Sequence, residues 1–353
     1  MDIKHQATIP LLAEGNVEKL REKGLPECST DEEIALLMGI SVGKLRFLAF
    51  KHPTTTHYFR FQILKKTGEE RTISAPMPNL KAAQRWILKN ILDKLEVHDA
   101  AHGFRQNRSI VTNAKLHVGA DAIVKIDLQN FFQSISYKQV KQLFRGFGYS
   151  ENVAQIFGLI CTAAETEKIE IDGKIELRAI GRNLPQGSPA SPATSNLICY
   201  QLDSHLARMA KNLGFCYTRY ADDLTFSGSG DALLRISNLI NDSKLIITSE
   251  GFTINSSKTK ILDKSGRQEV TGIVVNKQLN ISKKTLKAFR ATLYQIEQEG
   301  LSDKKWGKSK NLIAAITGFA NYVAMINPSK GAEFLASVER IKQKYDESKQ
   351  YII

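Results

Sequence analysis

The sequence predicts an α+β fold, an antiparallel sheet backed by helices in the split βαβ manner, and three observations carry that prediction. Short apolar runs with strand character fall between amphipathic helices in the order strand–helix–insert–helix–strand–strand–helix–strand. No GxGxxG or GxxxxGK[ST] follows a strand, and "GFG" at 146–148 is too short to serve as a nucleotide loop. The run "TRYADDLTFS" at 218–227 sets Asp222 and Asp223 side by side inside an apolar, aromatic stretch that otherwise reads as strand.

Taken in order, residues 1–50 read as helical. "STDEEIALLMGISVGKLRFLAF" opens with a capping pattern at Ser29 or Thr30 and repeats its apolar positions at helical spacing around a "GIS" break. A packed helical hairpin accounts for this pattern, and a helix-turn-helix DNA reader is the other arrangement it allows. Tyr58, Phe59, Phe61 and Ile63, then Arg71 and Ile73, flank "KKTGEE" and predict a hairpin. Pro76 and Pro78 end it, and "LKAAQRWILKNILDKL" continues as an amphipathic helix.

A short strand then runs from Ala122 to Ile126 with Asp127 near its end, and a helix capped by Ser136 follows. A second hairpin turns at Asp172–Gly173, before a proline-punctuated loop and one long helix starting near Pro192. Two short strands surround Asp222–Asp223, "DALLRISNLINDSKLIITSEGF" is a helix, and "EVTGIVVNKQLNIS" is a strand pair. From about Lys283 the chain is helical and rich in lysine.

The bulk numbers bound the function. At 353 residues and 42% hydrophobic, the chain can bury a sizeable core. Lys plus Arg exceed Asp plus Glu by 49 to 36, a formal charge of +13, which favours a polyanionic partner, nucleic acid before membrane. No run approaches the ~18 apolar residues of a membrane span, and the N-terminus has no signal-peptide pattern. Cys28, Cys161, Cys199 and Cys216 are scattered, form no CxxC and suit a reducing cytoplasm.

Adjacent carboxylates repel, and burial raises their pKa values unless something positive compensates. Asp127 follows an apolar strand, so the pleat can place it at the sheet edge beside the Asp222–Asp223 turn. Three carboxylates offer the hard oxygen ligands that Mg²⁺ prefers. Two such ions, about 3.5–4 Å apart, activate an attacking hydroxyl and stabilise a leaving pyrophosphate. The aspartate pair is therefore read as part of a ligand set.

"IDLQNFF" (126–132), "NLPQGSPASP" (183–192) and "YADD" (220–223) resemble, in order and spacing, the conserved motifs of reverse transcriptases. "RTISAP" (71–76) resembles their fingers hairpin and "EGFTINSSKTKI" (250–261) the motif that follows the aspartate pair. "NAKLH" (113–117) and "VTG" (270–272) resemble elements of the bacterial retron enzymes. The likeness covers roughly residues 55–280 and is weaker beyond, where "GFANYVAMIN" (318–327) is similar to a thumb segment.

The resemblance implies a right-hand polymerase: an N-terminal helical segment (1–50), fingers (51–120), a ferredoxin-like palm (121–280, with a fingers-side insert near 150–183) and a helical thumb (281–353). Asp127, Asp222 and Asp223 would be the catalytic ligands of two Mg²⁺. Arg71 would clamp the triphosphate, against a solvated hairpin cation as the plain alternative. Phe132 would press on the incoming sugar and exclude a 2′-hydroxyl, against ordinary core packing. Gln186 and Gly187 would approach nucleotide and template. Lys258 would donate a proton to pyrophosphate or be a surface lysine. Lys125 and Gln129 are given no chemistry.

Asn113 and His117 are read as contacts to the enzyme's own RNA or as a buried structural pair, and Thr271 as a further RNA contact. Leu286, Phe289, Leu293 and Ile296 face inward on a helix that presents Lys283, Lys284, Lys287 and Arg290 to a duplex backbone. The retron likeness further implies a dedicated structured non-coding RNA that is both template and primer. DNA synthesis from dNTPs would start at a guanosine 2′-hydroxyl, giving branched msDNA for antiphage defence beside an effector protein, with no membrane involved. The alternatives are another bacterial reverse transcriptase, of the intron-derived or diversity-generating type, and a non-catalytic nucleic-acid-binding scaffold of the same fold.

Overall fold

The structure, a computed structural model, describes residues 14–50, 57–64, 68, 70–171 and 174–350. Residues 1–13 of the expected N-terminal segment, most of the "KKTGEE" turn, the turn at Asp172–Gly173 and the last three residues lie outside the described residues.

Helices α1 (Val17–Glu22), α2 (Asp31–Met38) and α3 (Val42–Phe50) open the chain. Thr30 caps α2, its hydroxyl accepting from Glu33 N at 3.2 Å, while Glu33 Oε2 accepts from Ser29 N at 2.6 Å. Ile34, Leu45 and Leu48 are buried in the main core, so α2 and α3 form a packed helical hairpin. Strands β1 (Tyr58–Leu64) and β2 (Glu70–Pro76) pair antiparallel. Helix α4 (Pro78–Asn90) begins on its proline and stops five residues short of the expected end, giving way to a 3₁₀ turn at Leu92–Lys94.

Short α5 (Ile110–Lys115) precedes β3 (Ala122–Asp127), and α6 (Tyr137–Phe147) carries a capping box between Ser136 and Gln139. Helix α7 (Glu151–Cys161) was not anticipated. It leads into the long hairpin of β4 (Ala163–Ile171) and β5 (Lys174–Asn183). The single long helix expected from Pro192 is two, α8 (Ser191–Ile198) and α9 (Tyr200–Leu213), broken at Cys199.

Strands β6 (Cys216–Tyr220) and β7 (Asp223–Gly228) follow, then α10 (Ile236–Ser249) and β8 (Lys260–Asp263). The small pair β9 (Glu269–Val270) and β10 (Ile273–Val274) leads to α11 (Lys283–Glu299), α12 (Leu312–Ile326) and α13 (Pro328–Gln350). Among the described residues no helix is long and apolar enough to cross a membrane.

The central sheet has the order β6-β7-β3-β8, with every neighbour antiparallel. Register assigns the two faces, because residues opposite one another share a side and successive residues alternate. One face holds Val124 and Ile126, opposite Phe226 and Leu224. These residues enter a core shared with Leu202 and Leu206 of α9, Leu239 of α10 and Phe144 of α6. The other face reads Ile123–Ser227, Lys125–Thr225 and Asp127–Asp223. Its apolar end, Ile123, joins a second core with Val270, Ile273 and the three C-terminal helices. Its acidic end remains open.

Under the first face lies a fully buried ion pair, Arg219 with Asp203, both 0% exposed. Arg219 donates from Nη2 to Asp203 Oδ2 at 2.6 Å and from Nε to Oδ1 at 2.8 Å. Tyr217 OH donates to Asp203 Oδ1 at 2.8 Å, and Arg219 Nη1 reaches Asn196 Oδ1 and the Ala221 carbonyl. Burial opposes the guanidinium charge, but the Asp203 carboxylate outweighs it and raises the pKa of Arg219.

Removing one partner leaves the other charge buried and alone. Asp203→Ala is expected to lose about 3–5 kcal/mol of stability in urea unfolding at pH 7. The double variant Asp203→Leu/Arg219→Met should lose less than that single change, and an additive loss would show that the pair is not energetically coupled.

Candidate polymerase site

The acidic end of the sheet is assembled by backbone before any side chain acts. Leu128 N donates to Asp222 O at 3.0 Å, Asn255 N to Asp127 O at 2.8 Å and Gln129 N to Thr253 O at 2.8 Å. Three separate stretches of chain are thereby locked side by side. The β6–β7 connection is two residues long, and Ala221 adopts φ 56 at its first position, where hairpins of this length favour Gly.

Asp127, 7% exposed, lies directly opposite Asp223 in register. Lys258 Nζ donates to both its oxygens, at 2.9 and 3.2 Å. Burial first, then the charges of Asp223 and Asp127, raises the pKa of Asp222. Burial also raises Asp223, with Asp127 adding and Lys125 and Lys258 opposing. The hydrogen bond to Asp127, helped by all three carboxylates, raises Lys258. The carboxylates are thus short of positive charge, and one ammonium supplies part of it.

Among the described residues no three His, Cys, Asp or Glu side chains form a finished metal site. The donor chemistry nevertheless fits a hard divalent cation: three carboxylates at one sheet end, with Lys258 standing where a cation's charge is needed.

A cavity of about 560 Å³ opens over these groups. It brings together Asp127, Asp222, Arg71, Phe132, Gln186 and Lys258, drawn from five separate stretches of sequence. Asp223 stands beside Asp127 without lining it. Phe132 is half-buried, its ring 5.3 Å from that of Phe131, so it rests on the core and turns its remaining surface to the cavity. Gln186 O accepts from Ser74 N at 2.8 Å, tying this loop to β2. Gly187, at φ 120, permits the approach, since a Cβ there would meet Ser74 O at 2.9 Å.

Lys283, Lys284 and Lys287 are exposed on α11 and do not line the cavity, while Leu286, Phe289, Leu293 and Ile296 are buried beneath them. Two aromatic residues of the cavity, Phe131 and Phe104, are not singled out by the sequence. Phe104 lines the cavity beside Phe132 and Tyr220, and its only sequence signal is an aromatic next to Gly103 in a turn.

Asn113 and His117 require a correction, because both are inside the protein and present nothing for RNA to touch. His117 is 1% exposed, with Nδ1 2.7 Å from Ser227 Oγ and Nε2 2.7 Å from Thr218 Oγ1. The imidazole thereby bridges β6 and β7 from the α5 side. Thr271 also turns inward: its hydroxyl donates to Ile110 O at 3.1 Å, at the start of α5. "NAKLH" and "VTG" therefore meet each other, with Ala114 and Val270 in the same core.

Burial lowers the pKa of His117 to about 3 and that of His102 to about 4. A depressed folded-state pKa contributes stability that is present above the unfolded value of about 6.5 and is lost as pH falls toward the folded one. His117 alone should remove about 2 kcal/mol by pH 5. Replacing it by Gln, which does not titrate, should flatten the stability slope between pH 6.5 and 4. An unchanged slope would return the imidazole to solvent.

The family described as reverse transcriptase (RNA-dependent DNA polymerase) matches residues 63–285. The retron Mx162 reverse transcriptase of Myxococcus xanthus is 39% identical over 92% of this chain and 70% of its own. The retron Mx65 enzyme of the same organism is 38% identical over 90% of this chain and 73% of its own. The retron Ec86 reverse transcriptase of Escherichia coli is 32% identical over 94% and 95%. Among solved structures, a telomerase of Candida tropicalis with a fragment of telomeric RNA aligns at a TM-score of 0.47 and 12% identity, over 82% of this chain and 53% of that one. With that family match and those relatives, the chain belongs to the reverse transcriptases, as an RNA-directed DNA polymerase of the retron kind.

Proposed function

We propose that the enzyme copies part of a structured non-coding RNA, its template and primer at once, into single-stranded DNA joined to that RNA through a guanosine 2′-hydroxyl. The observation that carries the catalytic part is the cavity itself, where carboxylates, a fingers arginine, a bulky ring and a lysine meet. The retron part rests on the relatives, and with it go an msDNA product, a partner effector protein and a role in antiphage defence. A reducing cytoplasm suits the four cysteines, all free.

In this reading β1–β2 belongs to the fingers (51–120), the central sheet to the palm (121–280) with α7 and β4–β5 as the insert near 150–183, and α11–α13 to the thumb (281–353). Asp127, Asp222 and Asp223 would hold two Mg²⁺, whose chemistry when bound is to lower the barriers to hydroxyl attack and pyrophosphate departure. Lys258, whose ammonium rests on Asp127 and lines the same cavity, would be the chain's own proton donor to the leaving group.

Arg71 reaches from β2 to the triphosphate, where its fork can take two phosphate oxygens. Gln186 and Gly187, held on β2 by the Ser74 contact, form the floor under the nucleotide. Phe132 meets the sugar, and a 2′-hydroxyl there would clash with the ring. On α11, Lys283, Lys284 and Lys287 meet duplex phosphates without reading sequence.

Two experiments test this reading. Asp127→Asn or Asp222→Asn should abolish primer extension with little change in Tm, and near-normal synthesis by either would remove the carboxylate assignment. With the cognate RNA, the wild-type product should remain covalently attached to RNA after protein digestion, whereas free, unbranched DNA would rule out the retron type of priming. Separately, Phe132→Ala should admit ribonucleotides, shifting the dNTP-to-rNTP ratio of kcat/KM by more than about tenfold. An unaltered ratio would return Phe132 to core packing.

A further inference from the structure

We propose that Phe104, in the "HGFR" stretch at 102–105, is a specificity-determining residue whose ring contacts the sugar and base of the nucleotide in the polymerase cavity. It lies between "RTISAP" and "NAKLH", outside each of the short stretches that carry the family resemblance, and the backbone singles it out. Its φ is 59, the left-handed region, where a bulky residue is an outlier. Such a conformation persists only when its surroundings impose it.

The surroundings do impose it. Immediately upstream, Arg219 N donates to Ala100 O at 2.7 Å and His102 N to Arg219 O at 2.8 Å, binding the segment to β6. Gly103 O accepts from Asn196 Nδ2 at 2.8 Å, and a Cβ on Gly103 would stand 3.0 Å from Ala221 N. Downstream, Arg105 Nη1 reaches the carbonyls of His98 and Ala101. Held on both sides, the backbone throws the Phe104 side chain outward.

Phe104 is 48% exposed, and unlike the other exposed phenylalanines of the described residues it lines the cavity of Asp127 and Asp222. Its centroid lies 6.1 Å from that of Tyr220 and 6.3 Å from that of Phe132, both within the range of aromatic pairs. Phe104 and Phe132, with Phe131, supply the aromatic part of a lining that otherwise includes Gln129, Asn130, Gln133 and Gln186, while Tyr220 supports Phe104 from outside that lining. A nucleotide matches that division, with a flat base and sugar for the rings and hydrogen-bonding edges for the amides. Stacking on such a ring tolerates any base, as a polymerase requires.

The backbone strain supplies a test that separates contact from scaffold. Glycine accepts φ 59 readily, so Phe104→Gly relieves the backbone while removing the ring. In the full-length enzyme, with a DNA primer annealed to an unrelated RNA template, Phe104→Gly should keep or raise Tm. Its KM for a single dNTP should rise at least about tenfold, with a smaller fall in kcat, and its preference for dNTP over rNTP should narrow. Phe104→Tyr should restore both values. A Phe104→Gly enzyme that loses several degrees of Tm with unchanged KM and sugar preference would make Phe104 structural. A Tyr variant as impaired as the Gly variant would equally overturn the stacking role. Because the primer is annealed, neither result depends on how the natural product is primed.

Discussion

The Arg219–Asp203 pair is the constraint on which the site rests. Burying two charges is costly, and the cost is offset only if every donor and acceptor finds a partner. Satisfying that condition draws in Tyr217, Asn196 and the Ala221 carbonyl, so one guanidinium ties α8, α9 and the β6–β7 turn together. The backbone of Arg219 holds the segment around residues 100–102 from its other side. The carboxylates of the turn, the clamped Phe104 and the helices behind the sheet therefore share one anchor. What reads as a catalytic loop is the outer rim of a buried electrostatic joint.

The sheet divides its labour by face and by position along the strands. One face is apolar and makes the main core. The other passes from Ile123, buried against the C-terminal helices, through Lys125 and Thr225 to the acidic edge. His117 bridges the same hairpin nearer its apolar end, so "NAKLH" and "VTG" support the carboxylates from within the protein. Lys258 resting on Asp127 fits the same arrangement, because crowded acids attract a nearby ammonium.

Much of this was legible in the chain, and the reasons for the rest are physical. Thr30 and Ser136 announce helix starts through side chains that bond locally, and β3 shows itself as an apolar run ending on Asp127. Helix α7 escaped because seven of its eleven residues are buried, leaving no polar face to set a helical period. Strand β8 is four residues of mostly exposed side chain and exists through its pairing with β3. No Gly or Pro marks the break at Cys199. The burial of His117 depends on Ser227 and Thr218, more than a hundred residues away. Asp127, Asp222, Arg71, Phe132, Gln186 and Lys258 line one cavity and are residues that short local motifs already single out, whereas Phe104 reaches it through a backbone angle that no motif announces.

The β3–β7 register has a consequence for how such a chain can change over generations. Shifting β3 by one residue would turn Val124 and Ile126 toward the cleft and drive Asp127 into the apolar core. Insertions or deletions within these strands are therefore closed to gradual drift. A change of length costs less where no register with the site is at stake, such as the segment between α11 and α12. Diversity of size and of bound partner can accumulate there, around a centre whose spacing is held by the alternation of a strand.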